Sequence, residues 1–249
     1  MYFSNNWSIL ITGFYPNTNR GIHNVSLTIQ RGNFVVITGH VGSGKTTLLR
    51  VLLGLLPMQS GAIYWNDRLV DEPANFFVPP RSAYTPQVPK LFSDSLKENI
   101  LLGLAEDTVD WEGAIAQAVF DQDLAAMPEG LETVIGSKGV RLSGGQLQRA
   151  AAARMFIRQP DLLVFDDLSS ALDVKTEQAL WSRLISMKER RKSREWEVGK
   201  ETTSVSVRYG WMPTCLIVSH RRSVLQQADR VIVLKNGSIE AEGTFDRLK

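Results

Sequence analysis

Lys45 and Thr46 end the stretch GHVGSGKT (39–46), which fits the pattern G-x-x-x-x-G-K-[S/T]. Glycines at this spacing let a backbone fold so that its N–H groups turn inward on phosphate oxygens. The cradle residues are Gly39, Val41, Gly42, Ser43, Gly44, Lys45, Thr46 and Thr47. Lys45 supplies a point charge for β- and γ-phosphates. The Thr46 hydroxyl suits Mg²⁺, which prefers oxygen ligands and lets phosphates complete its shell. A second stretch, DLLVFDDLSSALD (161–173), runs apolar residues into two adjacent acids, Asp166 and Asp167. Like charges side by side repel, and each needs a partner where water is scarce. With the glycine loop present, Asp166 is the metal-side carboxylate, orienting Mg²⁺ through its waters.

A third stretch, LSGGQLQRA (142–150), opens a helix. Ser143 is a good N-cap, and Gln146 three residues on completes the pattern of a capping box. Capping does not explain Gly144 and Gly145, because a glycine in a helix costs about 1 kcal/mol. Two of them leave the first amides open to an external anion.

These residues need elements to hold them. FVVIT (34–38) is a β-branched run that reads as a strand covered on both faces, and TTLLRVLLGLL after the loop reads as a helix. That gives strand, glycine loop, helix. LLVF (162–165), TCLIVS (214–219), DRVIVLKNG and SIEAEG carry further strand signals, and SILITGF, VSLTIQRG and GAIYWND read as a separate N-terminal group. Segment 71–90 holds five prolines and is expected to be mostly loop. From about 94 to 158 the pattern is helical, so the chain reads as an α/β core interrupted by a helical insert.

Bulk properties exclude several classes. A hydrophobic share of 43% over 249 residues supports a sizeable buried core. A net charge of +2 gives no argument for nucleic acid or an acidic membrane surface. The single Cys215 rules out an internal disulfide and reads as a small buried residue. No apolar run is long enough for a membrane span, the longest candidate being broken by Arg50, Gly54 and Pro57. The N-terminus lacks the basic-then-apolar order of a signal peptide.

In order along the chain stand Tyr15, GHVGSGKT, Gln87 in YTPQ, LSGGQ, LLVFDD, SALD (170–173) and His220 in VSH. In this the sequence resembles the nucleotide-binding domain of ATP-binding cassette (ABC) transporters. The stretches LFSDSLKENILLG and LETVIGSKGVRLSGGQ further resemble the exporter-type branch. The resemblance covers almost the whole chain. It implies an α/β fold: a P-loop NTPase (RecA-like) core, an N-terminal antiparallel β-subdomain and an inserted α-helical subdomain. It divides the single domain 1–249 into β-subdomain and core over 1–88 and 159–249, with the helical signature subdomain at 89–158.

The resemblance also assigns roles. ATP and Mg²⁺ are the implied cofactors. Tyr15 would stack on adenine. Gln87 would offer its amide oxygen to Mg²⁺ or to the attacking water, and His220 would bond the γ-phosphate and help hold that water. Asp167 takes the place of a general base, and Lys45 completes the catalytic group. Ser143, Gly144, Gly145 and Gln146 would close over ATP bound to a second protomer. Ser170 and Asp173 would touch that protomer. The implied partners are a second nucleotide-binding domain, identical or not, and a transmembrane domain, with no nucleic acid. The implied place is the cytoplasmic face of the inner or plasma membrane.

Two departures stand out. The family usually carries Glu where this chain has Asp167. One methylene fewer withdraws the carboxylate by about 1.5 Å. A misplacement of about 1 Å can cost ~10²-fold in rate, so slow hydrolysis is expected. The second departure is the insertion at 188–213, rich in Lys and Arg with two tryptophans. It reads as a solvated helix extension with a surface hairpin, as a docking surface for a partner or an anionic membrane, or as a nucleic-acid contact. Two other functions remain open: a soluble cassette ATPase acting on DNA or ribosomes, and a low-turnover nucleotide sensor. The compact helical insert without heptads argues against DNA-repair members, and the single cassette against translation factors.

Overall fold

The computed structural model of the chain describes residues 6–136, 139–168, 171–194 and 211–249, with the backbone alone over 188–194. It falls into two compact units. One draws on Met1–Tyr84, Asp161–Asp167 and Pro213–Lys249, the other on Thr85–Pro160 and Leu168–Met212.

The first unit starts with strands β1 (Asn6–Phe14), β2 (Gly21–Gln30) and β3 (Phe34–Thr38), then helix α1 (Lys45–Leu52). Strands β4 (Ser60–Trp65) and β5 (Arg68–Leu69), the one-turn helix α2 (Pro73–Phe76) and strand β6 (Ser82–Thr85) follow. Later in the chain come β7 (Leu162–Asp166), β8 (Thr214–Val218), β9 (Arg230–Lys235) and β10 (Ser238–Gly243). The second unit is helical: α3 (Leu96–Leu101), α4 (Trp111–Gln117), α5 (Asp121–Ala125), α6 (Gly144–Phe156) and α7 (Val174–Arg194).

Two sheets build the first unit. The smaller has order β2-β1-β4-β5 and is antiparallel. In β1, Trp7, Ile9 and Ile11 point into the core while Ser8 and Leu10 face out, the alternation of a sheet covered on one face. The larger sheet has order β10-β9-β3-β8-β7-β6. Within it β9, β3, β8 and β7 run parallel, and β10 closes an edge antiparallel to β9. Every residue of β7 and β8 is buried, as strands covered on both faces require. Helix α1 sinks Leu48, Leu49, Val51 and Leu52 into one core shared with both sheets. Cys215 of β8 is buried, as expected.

Because β3, β8 and β7 are parallel and adjacent, their C-terminal ends share one edge of the sheet. The glycine loop leaves β3 there, Asp166 ends β7, and His220 stands two residues past β8. Open α/β sheets carry their ligand sites at this edge.

In the second unit, α3 and α4 pack against α6. Asn99 is buried and braces its own loop, accepting from the Phe92 N–H at 2.7 Å and donating to the carbonyls of Phe92 and Ser95. Arg154 of α6 donates to the Asn99 carbonyl at 2.8 Å. Arg149 makes a two-pronged ion pair with Asp123, at 2.6 and 2.9 Å.

Segment 71–90 is mostly loop, as expected. Besides loop it contains α2 and β6, an edge strand too short to show an alternating pattern. Its neighbour fixes it: the Leu162 N–H donates to the Arg81 carbonyl at 2.9 Å. Helix α7 runs on to Arg194, so the 188–213 insertion begins as helix extension. Residues 195–210 of that insertion lie outside the described residues. At its far end, Trp211 donates its indole N–H to the Pro160 carbonyl at 2.7 Å. Among the described residues, no helix is long and apolar enough to cross a membrane.

Candidate functional site

The glycine loop is built for close approach. Gly39 has φ +139°, and a Cβ there would lie 2.1 Å from the Leu234 carbonyl oxygen. Gly42 and Gly44 also have positive φ, and among the described residues, its chain neighbours aside, no atom lies within 4 Å of where a Gly42 Cβ would sit. The loop thus backs onto β9 on one side and is open at Gly42. The Lys45 ammonium lies across it, donating to the Gly39 and His40 carbonyls at 2.8 Å each. Burial pulls Lys45 below its ordinary pKa, against the opposing charges of Asp167 and Asp166.

Thr46, in the first turn of α1, donates its hydroxyl to Asp166 Oδ1 at 3.0 Å. Tyr84 of β6 donates to Asp166 Oδ2 at 3.3 Å. Asp166 is 3% exposed. Its burial raises the carboxyl pKa, opposed by those two hydrogen bonds and by Arg50, while Asp167 adds to the rise. Asp167 sits in the left-handed region at φ +53°. Short Asp and Asn side chains reach this conformation more readily than longer ones. His220 lies exposed, its Nδ1 at 3.5 Å from Thr38 Oγ1. Burial, then the charges of Lys45 and His40, hold its pKa below the ordinary 6.5, with Asp167 opposing. The ring is therefore neutral at neutral pH.

A cavity of about 450 Å³ opens beside the loop. Tyr15, Gly42, Gly44, Lys45, Thr46 and Thr47 line it, as the sequence leads one to expect. Arg50 donates to the Tyr15 hydroxyl at 3.4 Å. His23 and Asn236 also face the cavity. The sequence carries no motif for these two, nor for Tyr84 as a partner of Asp166.

In the second unit, Ser143 caps α6. Its Oγ accepts from the Gln146 N–H at 3.2 Å, and Gln146 Oε1 accepts from the Ser143 N–H at 2.9 Å, the reciprocal pair expected. Ser143 and Gly144 are exposed. Gly145 packs close to Arg149 and to the Ala171 carbonyl. The Gln87 carbonyl accepts from Gln148 Nε2 at 2.8 Å. Asp173 caps α7, accepting from the Thr176 hydroxyl at 2.5 Å and from the Thr176 N–H at 3.0 Å, and these two bonds, the hydroxyl first, lower its pKa. Ser170 lies outside the described residues.

The donor set fits a phosphate and Mg²⁺. Ser43 Oγ is buried in the loop without a hydrogen-bond partner among the described residues, and a phosphate oxygen would supply one. Among the described residues no cluster of three His, Cys, Asp or Glu could hold a metal by itself. Thr46 and Asp166 would bind Mg²⁺ only with phosphate and water as further ligands, which is how Mg²⁺ usually binds.

A glycine loop between a parallel strand and a helix, with an acid ending a strand of the same sheet, defines a P-loop nucleotide-binding fold. A family model described as ABC transporter matches residues 22–170, and the chain belongs to that family. It is 37% identical over 237 residues to a probable multidrug resistance ABC transporter ATP-binding/permease protein of Bacillus subtilis, covering 94% of this chain and 37% of that protein. It is 31% identical to a mitochondrial iron-sulfur clusters transporter of Aspergillus fumigatus, covering 95% of this chain and 30% of that protein. The chain thus spans about a third of the length of these relatives. In fold it is similar to a bacterial Atm1-family ABC exporter solved with ATP bound, with a TM-score of 0.80 and 24% identity over 100% of this chain and 40% of that one.

Proposed function

We propose that this chain is the ATP-hydrolysing domain of an exporter. It binds ATP in the glycine-loop cavity, pairs head to tail with a second nucleotide-binding domain, and drives a transmembrane domain by closing and opening. In that setting it works at the cytoplasmic face of the membrane, through a fused or separate membrane-spanning partner. The observation that carries this reading is Thr46 bonded to Asp166 beside a cavity that Tyr15 and Lys45 also line. The names of the relatives support the exporter assignment.

Under this reading Tyr15 stacks on adenine, and the loop N–H groups with Lys45 hold the phosphates. Thr46 and Asp166 would hold Mg²⁺, which when bound offsets phosphate charge. Gln87 offers an amide oxygen to the metal or the water. Ser143 to Gln146 of a second copy close over the nucleotide, with Ser170 and Asp173 contacting that copy. Neutral His220 bonds the γ-phosphate, and Asp167 accepts the proton of the attacking water.

Asp167 makes that last step slow, because its carboxylate is one methylene short. The test is single-turnover ATP hydrolysis by wild type, Asp167→Glu and Asp167→Asn. Asp167→Glu is expected to raise the rate about tenfold or more, toward the ~10² that a 1 Å misplacement costs, and Asp167→Asn to abolish it. No gain with Glu and no loss with Asn would remove Asp167 from the mechanism. A low-turnover nucleotide sensor is the second reading that Asp167 favours. A membrane domain co-purifying with the full-length protein would decide against it.

A further inference from the structure

Asp166 has two neutral donors from different elements. Thr46 of α1 takes Oδ1 at 3.0 Å, and Tyr84 of β6 takes Oδ2 at 3.3 Å. One donor leaves a carboxylate free to turn about its broad terminal torsion, whereas two donors on opposite oxygens set its plane. The chemical type of the donors matters as well. A lysine or arginine bonded to Asp166 would neutralise it and compete with a cation, but hydroxyls satisfy its lone pairs and leave the charge for a metal. The Tyr84 hydroxyl is a neutral phenol whose one proton points to Oδ2 of Asp166. Arg50 stands one helical turn after Thr46 on α1. It engages the Tyr84 hydroxyl and also donates to the Tyr15 hydroxyl at 3.4 Å.

We propose that Tyr84 is a positioning residue for Mg²⁺, fixing the Asp166 carboxylate from the side opposite Thr46, and that Arg50 ties this pair to Tyr15. The proposal rests on the assignment of Asp166 to the metal. Tyr84 opens the YTPQ stretch, but the sequence gives it no role there, because its partner is 82 residues away. The ring of Tyr84 also packs against the hydrophobic core, so a purely structural role is the competing explanation. Tyr84→Phe separates the two, because it keeps the ring and removes only the hydroxyl.

The experiment measures ATP binding to the 249-residue chain by calorimetry. Each protein is titrated once with EDTA present and once across a Mg²⁺ series. Outer-shell partners of metal ligands typically contribute 10–100-fold to metal affinity, so Tyr84→Phe is expected to weaken the apparent Mg²⁺ affinity about tenfold. ATP affinity in EDTA and the thermal midpoint without nucleotide stay at wild-type values. Asp166→Asn removes the Mg²⁺ enhancement, and adding Tyr84→Phe to it changes nothing more, as expected if the two act as one unit. Arg50→Gln is expected to weaken both the Mg²⁺ enhancement and the Mg²⁺-free binding of ATP. An unchanged Mg²⁺ response in Tyr84→Phe overturns the proposal. So does an equal loss with and without Mg²⁺, which is the mark of a structural role. If wild type binds ATP no better with Mg²⁺ than without, the metal assignment of Asp166 itself falls.

Discussion

Asp166 carries a cost in the protein that uses it. It is buried, and its folded pKa is raised above the ordinary 3.8. An acid with a raised folded pKa binds more protons folded than unfolded, just above 3.8. Stability is therefore greatest below that value, falls as pH rises through the folded pKa, and stays lower at neutral pH. Asp166→Asn removes the buried charge. In Mg²⁺-free buffer at neutral pH it is expected to stabilise the chain by about 0.5–2 kcal/mol, the range common for single stabilising substitutions. Urea unfolding reads this as a higher midpoint, with the gap to wild type closing as pH falls through the raised pKa. A lower midpoint at neutral pH would mean that the Thr46 and Tyr84 bonds outweigh the burial penalty. At this scale the sequence was most legible where chemistry is written locally. Lys45, Thr46 and Asp166 each sit in a short motif. Arg50, His23 and Asn236 do not, and Tyr84 sits in YTPQ without a role legible there, because these roles come from elements brought together over long separations.

The turn between β9 and β10 shows how elements hold the loop. The Gly237 N–H donates to the Ser43 carbonyl at 3.0 Å, and the Gly237 carbonyl accepts from the His23 N–H at 2.8 Å. One turn thus ties the phosphate loop to β2. Gly237 has φ +80°, and a Cβ there would lie 2.5 Å from the Gly21 carbonyl oxygen. Backbone cannot yield as a flexible side chain can, so Gly237→Ala is expected to cost about 1–3 kcal/mol of stability. ATP binding should weaken as well, because the Ser43 tie is displaced. Chemical denaturation and calorimetry on one preparation check both. Loss of stability with unchanged ATP affinity would mean that the turn braces the fold without shaping the loop. Elements were legible by the same logic as residues. β1 shows its alternation, β3 and β7 their continuous apolar runs, and α6 its capping box. β6 escaped because four residues among prolines carry no period, and pairing beside β7 decides their conformation. The start of the 188–213 insertion was legible as a helix extension, but where the helix stops was not, because the run of Lys, Glu, Arg and Ser over 188–194 carries no apolar period.

For the whole molecule, the first unit carries the cradle, and the second presents Ser143 and Gly144 at an exposed helix start. Four first-turn N–H groups of a helix lack internal partners, and the helix dipole favours an anion there. Ser143 Oγ satisfies the Gln146 N–H, leaving the amides at Gly144 and Gly145 for an outside ligand. If that ligand is the phosphate of ATP held by another copy, assembly must depend on nucleotide. Asp167→Asn with ATP and Mg²⁺ is then expected to sediment as a dimer, and as a monomer without ATP. Gly144→Asp in that background places a negative charge at the helix start. It fits sterically, since the nearest atom to a Cβ there is Ala171 Cβ at 3.5 Å. It is expected to abolish the dimer while leaving ATP affinity of the monomer within about twofold, because like charges repel at the helix terminus and nothing in the cradle changes. Sedimentation velocity gives the assembly state and calorimetry the affinity. A dimer that persists in Gly144→Asp would show that the copies meet through another surface. A monomer at all ATP concentrations in Asp167→Asn would show that pairing needs the membrane-spanning partner to bring two cassettes together.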